Sequence, residues 1–177
     1  MDDIRQTAAG APPPGAELVR RWIEVFNGRA LEACKDLAAD AFIEHAIAPF
    51  GRVEPGLVNG PVHLRETAEW LAAQFPDLRM TTLALVCDGD TVVARVLSEG
   101  TNRGRLNGVI APTGRAFSAQ QTHWFRVEGG RLAEHWATRD DLTAMIQLGV
   151  IAAPRSPRQA KPDPGGSLDA DGSESRG

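Results

Sequence analysis

The chain has 177 residues, 42% of them hydrophobic, which is enough apolar surface for the core of one domain. Its formal charge of -4 gives no basic stripe for nucleic acid, and no apolar run approaches the roughly 20 residues of a membrane span. The acidic N-terminus lacks the apolar core of a signal peptide, so we expect a cytoplasmic protein without nucleic-acid or membrane partners.

The two ends of the chain differ in composition from its middle. Residues 1–14 end in three prolines, and we expect them to form a flexible leader. Residues 153–177 contain almost no large apolar side chains, so their burial cannot offset the entropy cost of ordering them. We therefore predict a disordered tail there and a single domain at 15–152.

Helical spacing of apolar residues predicts three helices in the first half of this domain. Their expected ranges are 16–26, 30–37 and 61–75. The stretch AFIEHAIA, which follows Asp40, is either a short strand or an irregular entry into the core. The Gly- and Pro-rich residues 47–60 predict a loop, which could act as a lid.

Two β-hairpins are predicted in the second half. LRMTTLALVC and TVVARVLSEG flank an Asp-Gly-Asp turn, and AFSAQQTHWFRV and RLAEHWATR flank a Glu-Gly-Gly turn. A Gly-rich crossing joins the hairpins, and a final helix at about 141–148 ends at Gly149. Helices followed by long antiparallel strands indicate an α+β domain, in which a curved sheet covered by three helices encloses a cone-shaped cavity.

Alternation along the last two strands predicts the side chains that face this cavity. Gln121 and His123 share a face of one strand, and Trp136 and Asp140 share a face of the next. Either register of a two-residue turn puts His123 on the same face as Trp136 and Asp140, whereas a three-residue loop would break this parity. The predicted face mixes polar and apolar groups, which is typical of a small-molecule cavity.

Asp140 stands where the last strand meets the final helix. Desolvation in the cavity should raise the pKa of its carboxyl, and beside the imidazole of His123 it would form a general acid/base pair. Alternatively, Asp140 caps the helix by accepting backbone N–H bonds, although Asp141 competes for that position. The residue pattern leaves both interpretations open.

The remaining histidines give weaker signals. His45 stands alone in an apolar run, where a histidine is more often a satisfied core residue than a ligand. His63 and His135 are expected to face solvent and receive no role. The four histidines match no zinc signature, so no metal site is predicted.

Five segments, taken in order, give the chain a family resemblance. They are FIEHA, FPDL, DGDTVVARV, GTNRGRLNG with APTGR, and EHWATRDDLTAMIQLG. Across about 18–150 the chain resembles the SnoaL-like polyketide cyclases, also called ester cyclases, of the NTF2-like superfamily. The resemblance implies a cone-shaped α+β barrel and a cofactor-free site, which closes a ring in an aromatic polyketide ester by intramolecular aldol condensation.

The resemblance also implies roles for single residues. It makes Asp140 the acid/base group, and it makes His123 and His45 pocket histidines. The side chains expected to contact substrate are His45, Gln121, Asn102 and Trp136. Asn102 departs from the family pattern, which often has GTH there, so it can hydrogen-bond but cannot shuttle a proton.

Two other functions stay open on the sequence. A protein of the same fold could bind a small molecule as a non-catalytic accessory, or it could be another NTF2-like lyase or hydrolase. Superfamily isomerases and dehydratases that depend on tyrosine are excluded, because the chain has no tyrosine. The outer sheet face, with Trp124 and Arg126, predicts a sheet-to-sheet homodimer or a higher homo-oligomer.

Overall fold

A computed structural model describes residues 13–28, 30–47, 57–58 and 60–153. The predicted leader and tail lie outside these residues, apart from residues 13, 14 and 153. Most of the loop predicted at 47–60 also lies outside them.

Within the described residues, four helices form close to the predicted positions. They are α1 (Pro14–Phe26), α2 (Cys34–Leu37, preceded by a 3₁₀ turn at Leu31–Ala33), α3 (Gly60–Gln74) and α4 (Asp141–Gln147). The apolar stripe predicted for α1 is buried, including Val19 and Trp22. Within the described ranges, no helix is both long enough and apolar enough to cross a membrane.

In the part of the chain that the structure describes, six strands form one open, curved sheet in the order β2-β1-β6-β5-β4-β3. They are β1 (Ala38–Glu44), β2 (Leu57–Val58), β3 (Arg79–Asp88), β4 (Thr91–Thr101), β5 (Ala116–Glu128) and β6 (Arg131–Arg139). The α+β class and both predicted hairpins are confirmed. The expected all-antiparallel sheet is wrong in one respect, because β1 runs parallel to β6. A parallel partner so distant in sequence leaves no local turn signal.

The helices cover one face of this sheet. Helix α1 lies across β3 and β4, α3 packs on β1, and α4 packs on β5. The core between these layers includes Leu37, Phe42 and Phe125, which are almost completely buried. On the opposite face, which we call the outer face, Trp124 and Trp136 are directly opposed and remain 48% and 39% exposed.

One extra residue in β6 decides which of its side chains face the helices. The β5–β6 turn is Gly129-Gly130, and both glycines have positive φ, as two-residue hairpin turns favour. The strand register then shifts by one residue, so that Ala133 is the extra residue of a β-bulge. The predicted parity is therefore wrong beyond Ala133: His135 lies on the covered face and Trp136 on the outer face.

Candidate active site

A cavity lies between the covered face of the sheet and helices α1 and α3. Its apolar lining is Trp22, Phe26, Ala46, Ile47, Leu71, Phe75, Leu78, Met80 and Phe117. Its polar lining is Glu44, His63, Thr67, Ser98, Gln121, His123, His135 and Arg139. An apolar wall with a few convergent polar groups is typical of a small-molecule site. The cavity is partly open and has a volume of about 60 Å³.

Four polar side chains form one hydrogen-bonded chain at this cavity. The two carboxyl oxygens of Glu44 lie 2.9 and 2.8 Å from Nδ1 of His135, and Nε2 of His135 lies 3.0 Å from Nδ1 of His123. Nε2 of His123 lies 3.0 Å from Oε1 of Gln121. Both histidines are only 4% exposed. The chain therefore links the cavity to a carboxyl group through two imidazole rings shielded from bulk water.

Sheet register and aromatic packing hold these groups in place. Glu44 lies beside His135 in the parallel β1–β6 pair, and the bulge turns His135 onto the face that carries His123. The N–H of Ala46 donates to Oε1 of Glu44 at 2.9 Å, which orients the carboxyl group. The indole of Trp22 contacts both imidazoles, with ring centroids 4.9 and 5.3 Å away. The rings are thus fixed from the side as well as through their nitrogens.

The environment of His123 keeps its ring uncharged. Burial lowers the pKa of His123 well below its ordinary value, and the neighbouring His135 and Arg139 lower it further by repulsion. A neutral imidazole can accept a proton at one nitrogen while it donates from the other. His123 therefore has the protonation state of a general base near pH 7.

Arg139 brings a fixed positive charge to the same cavity. It lies directly opposite Gln121 in the β5–β6 register, and its side chain is only 9% exposed. Its Nη2 donates to the carbonyl of Ile47, and its Nε lies 3.4 Å from Oδ1 of Asp141. Among the described residues, nothing accepts a hydrogen bond from this buried Nε. The guanidinium can therefore still donate to a ligand oxygen.

Asp140 lies elsewhere than predicted. It is exposed and caps α4, where its Oδ1 accepts from the N–H of Thr143 at 3.0 Å. Hydrogen bonds from the side chain and backbone of Thr143 lower the pKa of the Asp140 carboxyl. The predicted burial beside His123 and the predicted raised pKa are both wrong, because the bulge changes the face and the helix end supplies N–H donors. The capping alternative is confirmed, and a role in proton transfer stays a prediction.

The six predicted site residues divide between the cavity and other places. Gln121 and His123 line the cavity, whereas His45 and Trp136 lie at the outer face. There Nε2 of His45 is 2.7 Å from Oε2 of Glu134, and its ring stacks on Trp136 at 4.5 Å. The expected place of Trp136 in the cavity is wrong for the same reason of parity. His45 also lies outside the cavity, where its imidazole pairs with Glu134.

Asn102 is buried, and its side chain forms hydrogen bonds with the backbone of the loop that follows β4. Its side chain donates to the carbonyl of Gly104 at 2.8 Å and accepts from the N–H of Thr113 at 2.8 Å. It also donates weakly to the carbonyl of Gln74 at the end of α3. Its amide is thus used within the fold and Asn102 is not among the residues that line the cavity, so its contact with substrate stays a prediction.

Glu44 and His135 are the functional candidates that sequence reasoning missed. Solvent was expected around His135, which is instead buried. The signal that could have revealed them is a repeated dipeptide, because Glu-His occurs both in FIEHA and in LAEHW. Two such dipeptides on neighbouring strands can pair a carboxylate with an imidazole on each face of a sheet.

Comparison with known proteins identifies the family that the chain matches. The sequence profile of the SnoaL-like polyketide cyclases matches residues 16–148. The aklanonic acid methyl ester cyclase DauD of Streptomyces sp. (strain C5) is 32% identical over 139 residues, which are 77% of this chain and 82% of that protein. The nogalonic acid methyl ester cyclase of Streptomyces nogalater is 31% identical over 98 residues, 55% of this chain and 72% of that one. The crystal structure of wild-type IdmH from Streptomyces antibioticus has a TM-score of 0.66 and 31% identity, covering 77% of this chain and 98% of that chain.

Proposed function

The chain belongs to the SnoaL-like polyketide cyclase family, and we propose that it closes a ring in an aromatic polyketide ester by cofactor-free intramolecular aldol condensation. The observation that carries this proposal is the buried chain from Glu44 through His135 to His123, which ends at an apolar cavity. Two relatives at about 30% identity are named as methyl ester cyclases. A methyl ester of an aromatic polyketide acid is therefore the substrate class that we propose.

His123 is the proposed general base. Its Nε2 removes a proton from a methylene flanked by two carbonyls, and the electron pair of the C–H bond enters an enolate. The enolate carbon then attacks a ketone of the same molecule, a C–C bond forms, and the resulting alkoxide recovers the proton from Nε2. The flanking carbonyls already acidify that methylene, so the reaction needs no Schiff base or metal.

Arg139 is the proposed partner of the enolate oxygen. Its side chain lines the cavity, and its buried Nε has no hydrogen-bond acceptor among the described residues. A preorganised cation close to developing negative charge stabilises the transition state more than the neutral ground state. Gln121, on the opposite strand, is placed to orient a substrate carbonyl or hydroxyl through its amide.

Confinement supplies the other part of the proposed catalysis. Holding the enolate carbon against the ketone can contribute roughly 7–11 kcal/mol when the geometry is well matched. The apolar lining of the cavity would pack on the aromatic rings of the substrate. Displacement of water by those rings would strengthen the electrostatic effect of Arg139.

Turnover of a defined substrate tests the proposal. Purified protein is incubated with aklanonic acid methyl ester, and ring closure is followed by liquid chromatography with mass spectrometry. We expect conversion by the wild type and a fall in kcat of at least about 100-fold for His123→Asn. Asp140→Asn should stay within a few-fold of wild type. A large loss in Asp140→Asn with activity retained in His123→Asn would instead return the acid/base role to Asp140.

The accessory-protein alternative has its own signature in the same experiment. It predicts saturable binding of the ester, measured by quenching of tryptophan fluorescence, without any cyclised product. Wild-type protein that binds but never converts a series of aromatic polyketide esters would favour this alternative over catalysis.

We also propose that the outer face forms a homodimer. Register places Val86, Val93, Trp124 and Trp136 in one row across four strands. Val86 is 62% exposed, and a second sheet would remove such apolar surface from water. Sedimentation velocity should show a dimer for the wild type and a monomer for Trp124→Glu. A wild-type monomer at micromolar concentration would contradict this proposal.

A further inference from the structure

We propose that Glu44, His135 and His123 form a two-imidazole proton relay, in which His123 exchanges the proton with substrate while His135 carries the resulting charge. The proposal rests on the proposed function, because the proton comes from the substrate of the ring closure. It adds two positioning residues, Glu44 and His135, and it states where the proton is stored between its removal and its return.

The hydrogen-bond donors and acceptors fix the direction of the relay. A carboxylate only accepts hydrogen bonds, so Nδ1 of His135 donates to Glu44 across 2.8 Å. Nε2 of His135 is then free either to accept from Nδ1 of His123 or to donate to it, across 3.0 Å. The two choices define two states of the relay.

In the resting state both rings are neutral. Nδ1–H of His123 donates to Nε2 of His135, and Nε2 of His123 holds a lone pair at the cavity. The side-chain amide of Gln121 turns its NH₂ group toward that lone pair, since the oxygen and nitrogen of an amide exchange places by rotation. This state contains a base that is ready to accept the substrate proton.

In the loaded state the relay contains one more proton. The substrate proton binds Nε2 of His123, and the proton on Nδ1 of His123 moves to Nε2 of His135. Nε2–H of His123 now donates to Oε1 of Gln121, which matches the observed 3.0 Å contact. His135 becomes an imidazolium beside the Glu44 carboxylate. When the alkoxide takes its proton from Nε2, both transfers reverse, and no oxidant or reductant is needed.

The surroundings explain why the charge settles on His135 and not on His123. A charged His123 would be buried and would be repelled by His135 and by Arg139, and these effects hold the pKa of His123 well below its ordinary value. A charged His135 lies against a carboxylate, and opposite charges in close contact offset much of the cost of burial. The other titratable side chain of the described cavity lining is His63 on α3. The relay therefore moves positive charge away from the guanidinium and toward Glu44.

The variant Glu44→Gln tests the relay against a matched control. The amide keeps an acceptor for Nδ1 of His135 but removes the negative charge, so His135 holds a proton less well. We expect kcat to fall by about 10-fold to 100-fold, KM to change little, and the rise of kcat with pH to move to lower pH. The control Glu134→Gln makes the same change in the outer carboxylate, and it should leave kcat and its pH profile unaltered. Equal behaviour of the two variants would overturn the proposal.

Titration of the rings provides a readout that needs no substrate and no turnover. In ¹⁵N-histidine-labelled wild type, Nε2 of His135 and Nε2 of His123 should gain protons together, in one shared transition. Two separate transitions, or an Nε2 of His135 that stays unprotonated throughout, would overturn the relay. Because this experiment is independent of ring closure, failure of the proposed function and failure of the relay are distinguishable.

Discussion

Two carboxylate–imidazole pairs lie back to back on the same two strands and have different surroundings. On the covered face Glu44 bonds His135 at 2.8 Å, and on the outer face Glu134 bonds His45 at 2.7 Å. Each pair takes one residue from each Glu-His dipeptide, so the dipeptides are crossed between the two faces. The inner pair continues into a second imidazole and a cavity, whereas the outer pair is stacked against Trp136.

The second partner of each carboxyl group accounts for the difference in chemistry. The pKa of the outer Glu134 is lowered by its hydrogen bond to Arg126 and, to a smaller extent, by its hydrogen bond to His45. The permanent cation of Arg126 therefore already compensates the charge of Glu134. The described partners of the inner Glu44 are the imidazole of His135 and a backbone N–H. The described partners of the inner carboxyl group therefore include no permanent cation. Similar distances thus give a structural ion pair on one face and a candidate acid/base group on the other.

Variants of the outer pair should sharpen the contrast in activity. His45→Gln and Glu134→Gln remove a pair that does not border the cavity, so we expect kcat within about threefold of wild type, the scale of a partly exposed ion pair. The same substitution in the inner chain, His123→Gln, should lower kcat by at least about 100-fold. The measurement is steady-state ring closure at saturating ester. Comparable losses on both faces would show that the two pairs do not differ in function.

Acid should lower the stability of the protein through His123, the buried histidine that follows the inner pair in the hydrogen-bonded chain. The pKa of His123 is lower in the folded than in the unfolded state, so the unfolded chain binds more protons below its ordinary pKa of about 6.5. This contribution to stability is present above that pH and is lost as pH falls toward the folded pKa. Urea midpoints between pH 8 and pH 5 should fall less steeply for His123→Gln than for wild type. Parallel pH profiles would contradict the expectation.

The smallest expected effect concerns the cap of α4. Asp140→Ala removes the acceptor for the N–H of Thr143 and should lower the thermal midpoint by only a few degrees. Because the pKa of Asp140 is lowered in the fold, the cap is effective above the ordinary aspartate pKa and is lost as pH falls through the folded value. Wild type and variant should therefore converge in acid, as measured by calorimetry. A difference that grows as pH falls would contradict the capping assignment.

The elements of the fold could be predicted because their signals are local. Helical spacing in α1 and glycine turns between the long strands depend on neighbouring residues, and the observed bounds lie close to the expected ones. The bulge at Ala133 has no such signal, since RLAEHWATR alternates like any strand and the extra residue is set by pairing with β1 and β5. Because the predicted alternation of β6 did not include this extra residue, it placed Asp140 at the cavity and left His135 outside it.

The parallel pairing of β1 with β6 has a consequence for synthesis of the protein. Glu44 and His135 are 91 residues apart in sequence, and β6 is the last of the described strands to leave the ribosome. A nascent chain that ends before residue 131 lacks one imidazole and leaves β1 without its longer neighbour, as an exposed edge that can join other chains. Truncated translation products should therefore be inactive and prone to aggregate.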